Sequence, residues 1–443
     1  MGFIEGEQRG QGSLFPVRLD DLIPADHVCR VIEAFVGRLE MEALGFVRAE
    51  AAETGRPGYD PRDLLKLYLY GYLQQMRSSR RLEAECRRNV EVMWLMQRLR
   101  PDHKSIAEFR RMHGEAVTAA GAELVRFART VGLVSGEWVA IDGSKFQAAS
   151  SAHSVREREA VRRYLEQMAA ADEQEGMVID PSAVAAALEK LKNHPEPEAR
   201  FLRSQGRTVP GYNVQTAVDE KHALIVAQQV TTEANDQRSL QPMAEAAQQA
   251  VGNPPTLHVV ADAGYANGEQ AEACEQRGIQ PHVPVPRRAN NQGNGSLFDR
   301  SAFRYDEKTD SFCCPAQQTL PRHHEQKERR RMVYLARPGV CGACPLQVRC
   351  TKAPRRSIRR HRHEEALERM QQRATPEAMR MRRCTVEHPF GTLKYRIFGH
   401  PRFLLRGLRG AQTEISLATL VYNLKRMLKV LGGRVLTAQM ATA

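Results

Sequence analysis

The sequence predicts an α/β protein in which a mixed sheet flanked by helices follows an all-α N-terminal region. Three observations indicate this class. Apolar residues recur at helical spacing from Asp20 to about Val131, without a convincing strand. Short apolar β runs then begin at Trp138, and two of them end on an aspartate. Helical patterns lie between and after these runs, as in a layered α/β architecture.

Composition and charge predict a soluble, basic protein with a polyanionic partner. The 443 residues include 65 Lys and Arg against 52 Asp and Glu, for a net charge of +13. This length fits about two or three domains, and the ordinary apolar segments argue against a disordered chain. No stretch approaches the roughly 18 apolar residues of a membrane span. Excess positive charge indicates nucleic acid as the simplest partner.

Cysteine usage and the N-terminus predict a cytoplasmic protein. Met1 to Phe15 lacks a basic region followed by an apolar run, so we expect no secretory signal. Nine cysteines, five of them between Cys313 and Cys350, do not resemble a disulfide framework. We therefore expect a reducing compartment, association with the nucleoid and no membrane.

The helical N-terminal region from Asp20 to about Val131, here called the head, contains several capping signals. Asp60 is expected to cap a helix that begins at Pro61, and Asn89 to cap a later one. The capping box Ser105 to Glu108 is expected to open one long helix that ends near Gly132.

A short basic helix in the head predicts DNA binding. It follows the turn Arg77 to Arg81, and several short helices with tight basic turns are typical of a helix-turn-helix reader. Arg80 and Arg81 are the candidate DNA contacts. A packing or dimerisation module, with these arginines on a solvated face, explains the pattern about equally well.

Two central β runs are each followed by a functionally interesting aspartate at their end. The run from Trp138 ends at Asp142 and the run from Leu257 ends at Asp262, and each aspartate is followed within two positions by glycine. Ligands of α/β sheets usually bind at the carboxyl ends of strands. We therefore expect both carboxylates at a functional site.

The order of elements around these aspartates matches the ribonuclease-H-like fold. Residues 212–218 and 224–230 predict an antiparallel hairpin, and 236–251 predict a helix before the second aspartate. The polar segment 153–200 predicts an inserted pair of surface helices.

A third acid is predicted on a C-terminal helix. Arg383, Glu387 and Lys394 are four and then seven residues apart, which places them on one helical face. Pro389 removes a backbone donor, so we expect a kink just after Glu387.

Three carboxylates predict metal-dependent phosphodiester chemistry. Cutting or joining DNA needs an activated oxygen nucleophile and a stabilised leaving oxyanion, and two Mg²⁺ ions about 3.5 to 4 Å apart supply both. Asp142, Asp262 and Glu387 are the candidate ligands, and Arg383 and Lys394 are candidate phosphate-neutralising groups. Singly, each acid has a plainer interpretation as a turn cap or a helix ion pair; together with the strand order they favour the metal site.

These residues resemble a bacterial insertion-sequence transposase of the DDE type over nearly the whole chain. The C-terminal helix matches the family's Tyr-x2-Arg-x3-Glu-x6-Lys signature except that Arg380 replaces the tyrosine. The other matching segments are 58–61, 70–72, 77–81, 141–145, 210–219 and 261–265. The resemblance implies that Asp142, Asp262 and Glu387 bind catalytic Mg²⁺ or Mn²⁺ and that the head binds transposon-end DNA.

About 125 residues separate Asp262 from Glu387, more than a compact core requires. Ala289 to Ser296 predicts an entry linker. Beyond it, cysteine spacing is typical of a zinc-ribbon-like site. The preferred ligands are Cys314, Cys341, Cys344 and Cys350, with Cys313 as the alternate to Cys314. Free or buried thiols in a small satellite core are the other interpretation.

A cationic run, Lys352 to Arg362, follows these cysteines and contains no acid. Such a run fits phosphate contacts that position DNA, although it also fits a solvated face. The candidate contacts are Arg355, Arg356, Arg359 and Arg360.

The sequence thus predicts a helical DNA-binding domain (1–131), a catalytic domain in two parts (132–299 and 376–443) and a cysteine-rich insertion (300–375). The expected function is cleavage at the ends of an insertion sequence and joining of the 3′-hydroxyl ends to target DNA. Expected partners are terminal inverted repeats, target DNA and a second copy of the chain or more. A metal-dependent nuclease without strand transfer and a catalytically silent DNA-binding regulator are the alternatives.

Overall fold

A computed structural model describes residues 18–48, 58–172, 180–204, 206–285, 297–326 and 331–442. The segment Met1 to Phe15 and the predicted linker Ala289 to Ser296 lie outside the described residues. In the described ranges no helix is long and apolar enough to cross a membrane. The architecture is mixed α/β, as the sequence predicts.

The head is helical in its described residues, and both predicted caps are confirmed. The Asp60 side chain accepts from the Arg62 amide at 2.8 Å, and the Asn89 side chain from the Glu91 amide at 3.0 Å. Proline is the first helical residue after Asp60. The α-helices are α1 (Val28–Gly37), α2 (Pro61–Leu73), α3 (Ser79–Arg88), α4 (Val90–Leu95), α5 (His103–Met112) and α6 (Gly114–Thr130).

The prediction of one long helix opened by Ser105 is wrong. Asp102 caps the first segment instead, because its carboxylate accepts from the amides two and three residues further on, at 2.8 and 3.1 Å. The Ser105 hydroxyl donates to the same carboxylate. The chain breaks at His113, where Gly114 lies so close to Thr413 that a β-carbon would stand 2.3 Å from the threonine hydroxyl oxygen.

The central sheet has the predicted ribonuclease-H-like order. Strand β3 pairs antiparallel with β1, β2 and β4, whereas β5 runs parallel to β1 and β6. Apart from β2, the order is β4-β3-β1-β5-β6, and the hairpin of β3 and β4 is confirmed. The strands are β1 (Trp138–Gln147), β2 (Arg200–Ser204), β3 (Arg207–Asp219), β4 (Ile225–Thr231), β5 (Leu257–Val260) and β6 (Ile279–His282).

Helices connect these strands. The predicted pair between β1 and the hairpin is present as α7 (Ala152–Asp172) and α8 (Pro181–Lys192). The crossovers to β5 and β6 contain α9 (Leu240–Ala250) and α10 (Gly268–Glu275).

A second, antiparallel sheet lies between β6 and the next long helix and has a small core of its own. Its order is β11-β10-β9-β8-β7. The elements are β7 (Arg304–Asp306), β8 (Ser311–Cys313), β9 (Thr319–Gln326), β10 (Arg331–Leu335), α11 (Gln347–Cys350) and β11 (Ser357–His361). Phe312, Leu320 and Tyr334 are buried there. Helix α12 (Glu364–Arg373) buries Met370 in the large core instead.

The C-terminal helices return to the sheet. Helix α13 (Pro376–Gly391) contains Pro389 and continues into a π-helical turn, Thr392–Ile397. Helix α14 (Gly407–Leu431) packs against β4 and also against α2 and α6 of the head. Helix α15 (Gly433–Thr442) packs on α1.

The carboxylate of Glu414 is completely buried and joins the head to the C-terminal segment. One oxygen accepts from the Leu404 and Leu405 amides at 2.6 and 2.7 Å. The other accepts from the Arg77 guanidinium at 2.9 Å and the Tyr72 hydroxyl at 3.3 Å. Arg77, the first residue of the basic turn, is therefore a buried structural residue.

Glu414→Gln should lower the free energy of unfolding by about 3–5 kcal/mol, because it leaves the buried Arg77 cation without its counter-charge. Urea denaturation followed by circular dichroism measures the change. The matched control is Glu115→Gln, which breaks an ion pair to Arg409 of the same length, 2.9 Å, whose side chains are about 90% exposed. That variant should unfold almost as wild type. Equal shifts in the two variants would contradict the role of Glu414.

Candidate active site

Asp262 lies just beyond the end of β5, but the prediction that Asp142 ends its strand is wrong. Strand β1 continues to Gln147, because its later residues stay paired with β3 after the pairing with β5 has ended. The two aspartates nevertheless occupy corresponding positions of the two parallel strands. Ala140 of β1 pairs with Val260 of β5, and each aspartate stands two residues further along the chain. Alternate residues of a strand share a face of the sheet. The register therefore accounts for the proximity of the two carboxylates.

A single guanidinium bridges the two aspartates. Arg382 Nη2 lies 3.0 Å from Oδ1 of Asp142 and 3.6 Å from Oδ2 of Asp262. Burial raises the pKa of Asp142 to about 6, opposed by Arg382 and reinforced by the carboxylates of Asp262 and Asp236. The space between the aspartates thus accepts a cation.

Packing of α13 on the sheet directs Arg382 to this position. Ala378 and Val386, one helical turn before and after Arg382, are buried against Ala140 and Val260. The signature spacing pointed to the next residue, Arg383, and not to Arg382. The apolar spacing of the two flanking residues was the signal that favoured Arg382.

Glu387 and Arg383 are both exposed on α13. Glu387 is five residues from Arg382, about 140° around the helix. In the part of the chain that the structure describes, Asp142, Asp262 and Glu387 do not bring three carboxylate oxygens within 4.8 Å of one another. The structure therefore brings the two aspartates together and gives the sheet-facing position of α13 to Arg382.

Lys394 lies in the π-helical turn on the aspartate side of the helix. Its ammonium is 5.5 Å from the ring centre of Phe146 on β1. Burial lowers the pKa of Lys394, and the charge of Asp142 opposes this effect. Lys394 is thus close enough to Asp142 to feel its charge, as the signature predicts for a residue beside the acids.

A further carboxylate, Asp236, lies beside this pair. It contributes to the raised pKa of Asp142 and forms an ion pair with Lys145 of β1, with 3.6 Å between Nζ and Oδ1. In the sequence, Asp236 was visible only as the expected start of a helix.

Comparison with known families shows the family to which the chain belongs. A family model described as Transposase DDE domain matches residues 140–424, well over half of the chain. The chain belongs to this transposase family. A second model, described as Transposase domain (DUF772), matches residues 17–112, which covers most of the helical head.

Similarity to individual proteins is more distant. The transposase is similar to a piggyBac transposase in a cryo-EM structure of a synaptic complex with hairpin DNA. The sequence identity is 8% and the TM-score 0.34, with 94% of this chain and 76% of that chain covered. No curated protein matches the chain.

The transposase exposes Arg80 and Arg81 in the first turn of α3. The four arginines predicted to contact DNA from the cationic run differ in their surroundings, since, among the described residues, some are paired inside the protein and others are not. Arg356 donates to the carbonyls of Cys350 and Phe298 at 2.7 and 3.1 Å. It is thus occupied inside the protein.

Arg360 also has partners inside the protein. Its guanidinium donates to Glu365 at 2.8 Å and lies 4.0 Å from the ring centre of Tyr305. Arg359 is exposed on β11, and Arg355 is half-buried in the loop before it. The structure therefore leaves Arg355 and Arg359 as the better candidates for DNA contact.

Four cysteines of the transposase line one cavity of about 20 Å³: Cys314, Cys341, Cys344 and Cys350. This is the set preferred from the spacing of the cysteines, whereas the alternate Cys313 donates to Gln317. A cavity of this volume holds about one water-sized particle. Backbone amides donate to Cys314 and Cys341 at 3.4 Å each.

The sulfur atoms are spaced more widely than in a bound zinc site, where they are roughly 3.8 Å apart at Zn–S distances of about 2.3 Å. In the described ranges, only His27, Cys29 and Glu91 place three such ligand atoms within 4.8 Å. Hydrogen bonds explain that group, since His27 caps α1 by accepting from the Cys29 amide. Burial also raises the pKa of Cys29 to about 12, which keeps the thiol protonated.

Proposed function

We propose that this transposase cleaves DNA at the ends of an insertion sequence and joins the 3′-hydroxyl ends to target DNA. The observation that carries the proposal is the pair of aspartates on neighbouring parallel strands, Asp142 and Asp262, bridged by the Arg382 guanidinium in a chain of the DDE family. Terminal inverted repeats and target DNA are the proposed substrates. The proposed active form on DNA is a homodimer or a larger assembly, associated with the nucleoid.

Asp142, Asp262 and Glu387 would hold Mg²⁺ or Mn²⁺. Carboxylate oxygens are the ligands that these hard cations prefer, and Arg382 marks a cation position between the two aspartates. When bound, such ions supply an activated nucleophile and stabilise the leaving oxygen. With a cation held by these carboxylates, Arg382 would be free to pair with a DNA phosphate.

The remaining groups orient and neutralise the DNA. Arg383 and Lys394 face phosphates beside the scissile bond, and Arg80 and Arg81 hold the transposon end against the head. The 3′-hydroxyl of the cut end then attacks a target phosphodiester in line. No covalent bond between protein and DNA is required.

One assay separates this proposal from the two alternatives. Pre-cut transposon-end DNA is incubated with plasmid and Mg²⁺. Joined products support the transposase, cutting without joining supports a nuclease, and binding without either reaction supports a regulator. Inverted repeats found by sequencing the DNA that flanks the gene would provide the end sequence.

We also propose that the four cysteines bind one zinc ion. Thiolates in a closed set of four are typical of structural zinc sites, and amide donors to sulfur stabilise the charged form. The ion would draw the four sulfurs together and fix the second sheet. The catalytic carboxylates are not part of this site.

Asp142→Asn, Asp262→Asn and Glu387→Gln should each lower cleavage and joining by on the order of 10²–10³-fold, because stabilisation of the leaving oxygen is lost. Affinity for the transposon end should change little, since no DNA-facing cation is removed. Glu377→Gln is the matched control, because Glu377 is an exposed acid on the same helix. Near-normal joining by any one of the three variants would remove that residue from the site.

Purified protein should contain about one zinc per chain by mass spectrometry, and Cys341→Ser with Cys344→Ser should abolish it, since two thiolates retain the ion poorly. Cys313→Ser should keep the metal, because that thiol lies outside the cavity lining. Wild-type protein that is metal-free with an ordered insertion would favour the thiol-packing interpretation.

Arg355→Ala with Arg359→Ala should weaken binding to specific and unrelated duplexes by similar factors. The dependence of log affinity on log salt should flatten by about 0.9 for each phosphate that the protein no longer neutralises. Arg80→Ala with Arg81→Ala should instead reduce discrimination between the duplexes if α3 reads base edges. Arg126→Ala with Arg409→Ala, two exposed arginines elsewhere, is the control. An unchanged slope would show that Arg355 and Arg359 do not contact phosphates and lie on a solvated surface.

A further inference from the structure

Asp236 is held in place by two buried amides. Its Oδ1 accepts hydrogen bonds from Asn213 Nδ2 and Gln215 Nε2, both at 2.7 Å. Both amide side chains belong to β3 and are completely buried. These two hydrogen bonds fix the position of the Asp236 carboxylate.

A third side chain orients one of these amides. The Tyr265 hydroxyl donates to Oε1 of Gln215, which turns the Nε2 of that amide towards Asp236. Tyr265 is completely buried. Asn213, Gln215 and Tyr265 lie in the segments that carry the family resemblance, yet none of them is needed to hold metal.

The glycines that follow Asp142 and Asp262 make room for this network. A β-carbon at Gly143 would stand 2.4 Å from Gln215 Nε2 and 2.7 Å from Asp236 Oδ1. A β-carbon at Gly264 would stand 2.9 Å from Asp262 Oδ1 and 3.9 Å from Asp236 Oδ2. Asp236 and Asp262 therefore border the same small gap, and Asp236 is part of the active-site wall.

Asp236 faces the ammonium of Lys145. The distance from Nζ to Oδ1 is 3.6 Å, longer than a hydrogen bond, and the Lys145 side chain is only 16% exposed. Among the described residues this is the single ion pair of Lys145. The ammonium carries three donors, so it can still donate to an anionic group that enters the site.

We infer that Lys145 is a phosphate-binding residue of the active site and that Asp236 is the positioning residue that aims it. The inference rests on the proposed function, which requires a phosphodiester to approach the carboxylates of Asp142, Asp262 and Asp236. Asp142 and Asp262 would hold the metal ions, whereas the Asp236 carboxylate is already engaged by the two amides and by Lys145. The ammonium then neutralises a non-bridging oxygen of the reacting phosphate.

Removal of one phosphate charge tests this contact. Pre-cut end DNA is joined in a single turnover to a target with either a native phosphate or a neutral methylphosphonate at the joining position. Lys145→Met should lower joining on the native target by on the order of 10²-fold, and by only a few-fold on the methylphosphonate. Lys145→Arg should restore part of the rate, because it keeps the cation.

The role of Asp236 is tested with the same two substrates. Asp236→Asn keeps an acceptor for both amides but loses the charge, and should lower joining about 10- to 100-fold on the native target. The double variant with Lys145→Met should be no slower than Lys145→Met alone, since Asp236 acts through Lys145. Lys221→Met is the control, because Lys221 donates to the Gly132 carbonyl at the far end of β3. Thermal unfolding of each variant confirms that it is folded.

Equal losses by Lys145→Met on both targets would overturn the phosphate contact, and additive losses in the double variant would overturn the positioning role. The same comparison is made on affinity without divalent metal, with one methylphosphonate placed at the transposon-end junction. Lys145→Met should weaken binding to native DNA only. If wild-type protein neither cuts nor joins DNA, the proposed function fails, and the affinity comparison alone decides the role of Lys145.

Discussion

A buried carboxylate is tolerated only when its partners are in place, and Glu414 imposes this requirement on three separate segments. Its four donors come from α2, from the turn after that helix and from the loop that precedes α14. Loss of any one donor leaves a charge or a polar group unsatisfied in the interior. The position of the head, the docking of α14 on β4 and the path of the chain after α13 are therefore linked.

The features that sequence alone predicted are those set by local chemistry. Asp60 and Asn89 cap helices because their side chains reach amides two residues on, and Asp142 and Asp262 each follow a continuous apolar run. The order of strands came from the same alternation of patterns. These elements need no knowledge of distant parts of the chain.

The features that sequence missed are set by tertiary contacts. The break between α5 and α6 places Gly114 against Thr413 of α14, a contact with a distant part of the chain. Arg382 was passed over for Arg383 because a signature spacing fixes residues along the helix but not the face that packs on the sheet. The basic patterns likewise did not separate Arg77 and Arg356, whose guanidinium groups serve the fold, from the exposed Arg80 and Arg359.

The pairing of Arg77 with Glu414 also has a consequence for biosynthesis. The two residues are 337 positions apart, which at 5–20 residues per second corresponds to roughly 20 to 70 s of translation. During this interval the head is already outside the ribosome, but the acceptor for Arg77 has not been made. A nascent chain must therefore keep this arginine hydrated or held by a chaperone, and a premature stop before codon 414 leaves the head without the carboxylate that closes it. The architecture thus makes completion of the polypeptide a condition for its final packing.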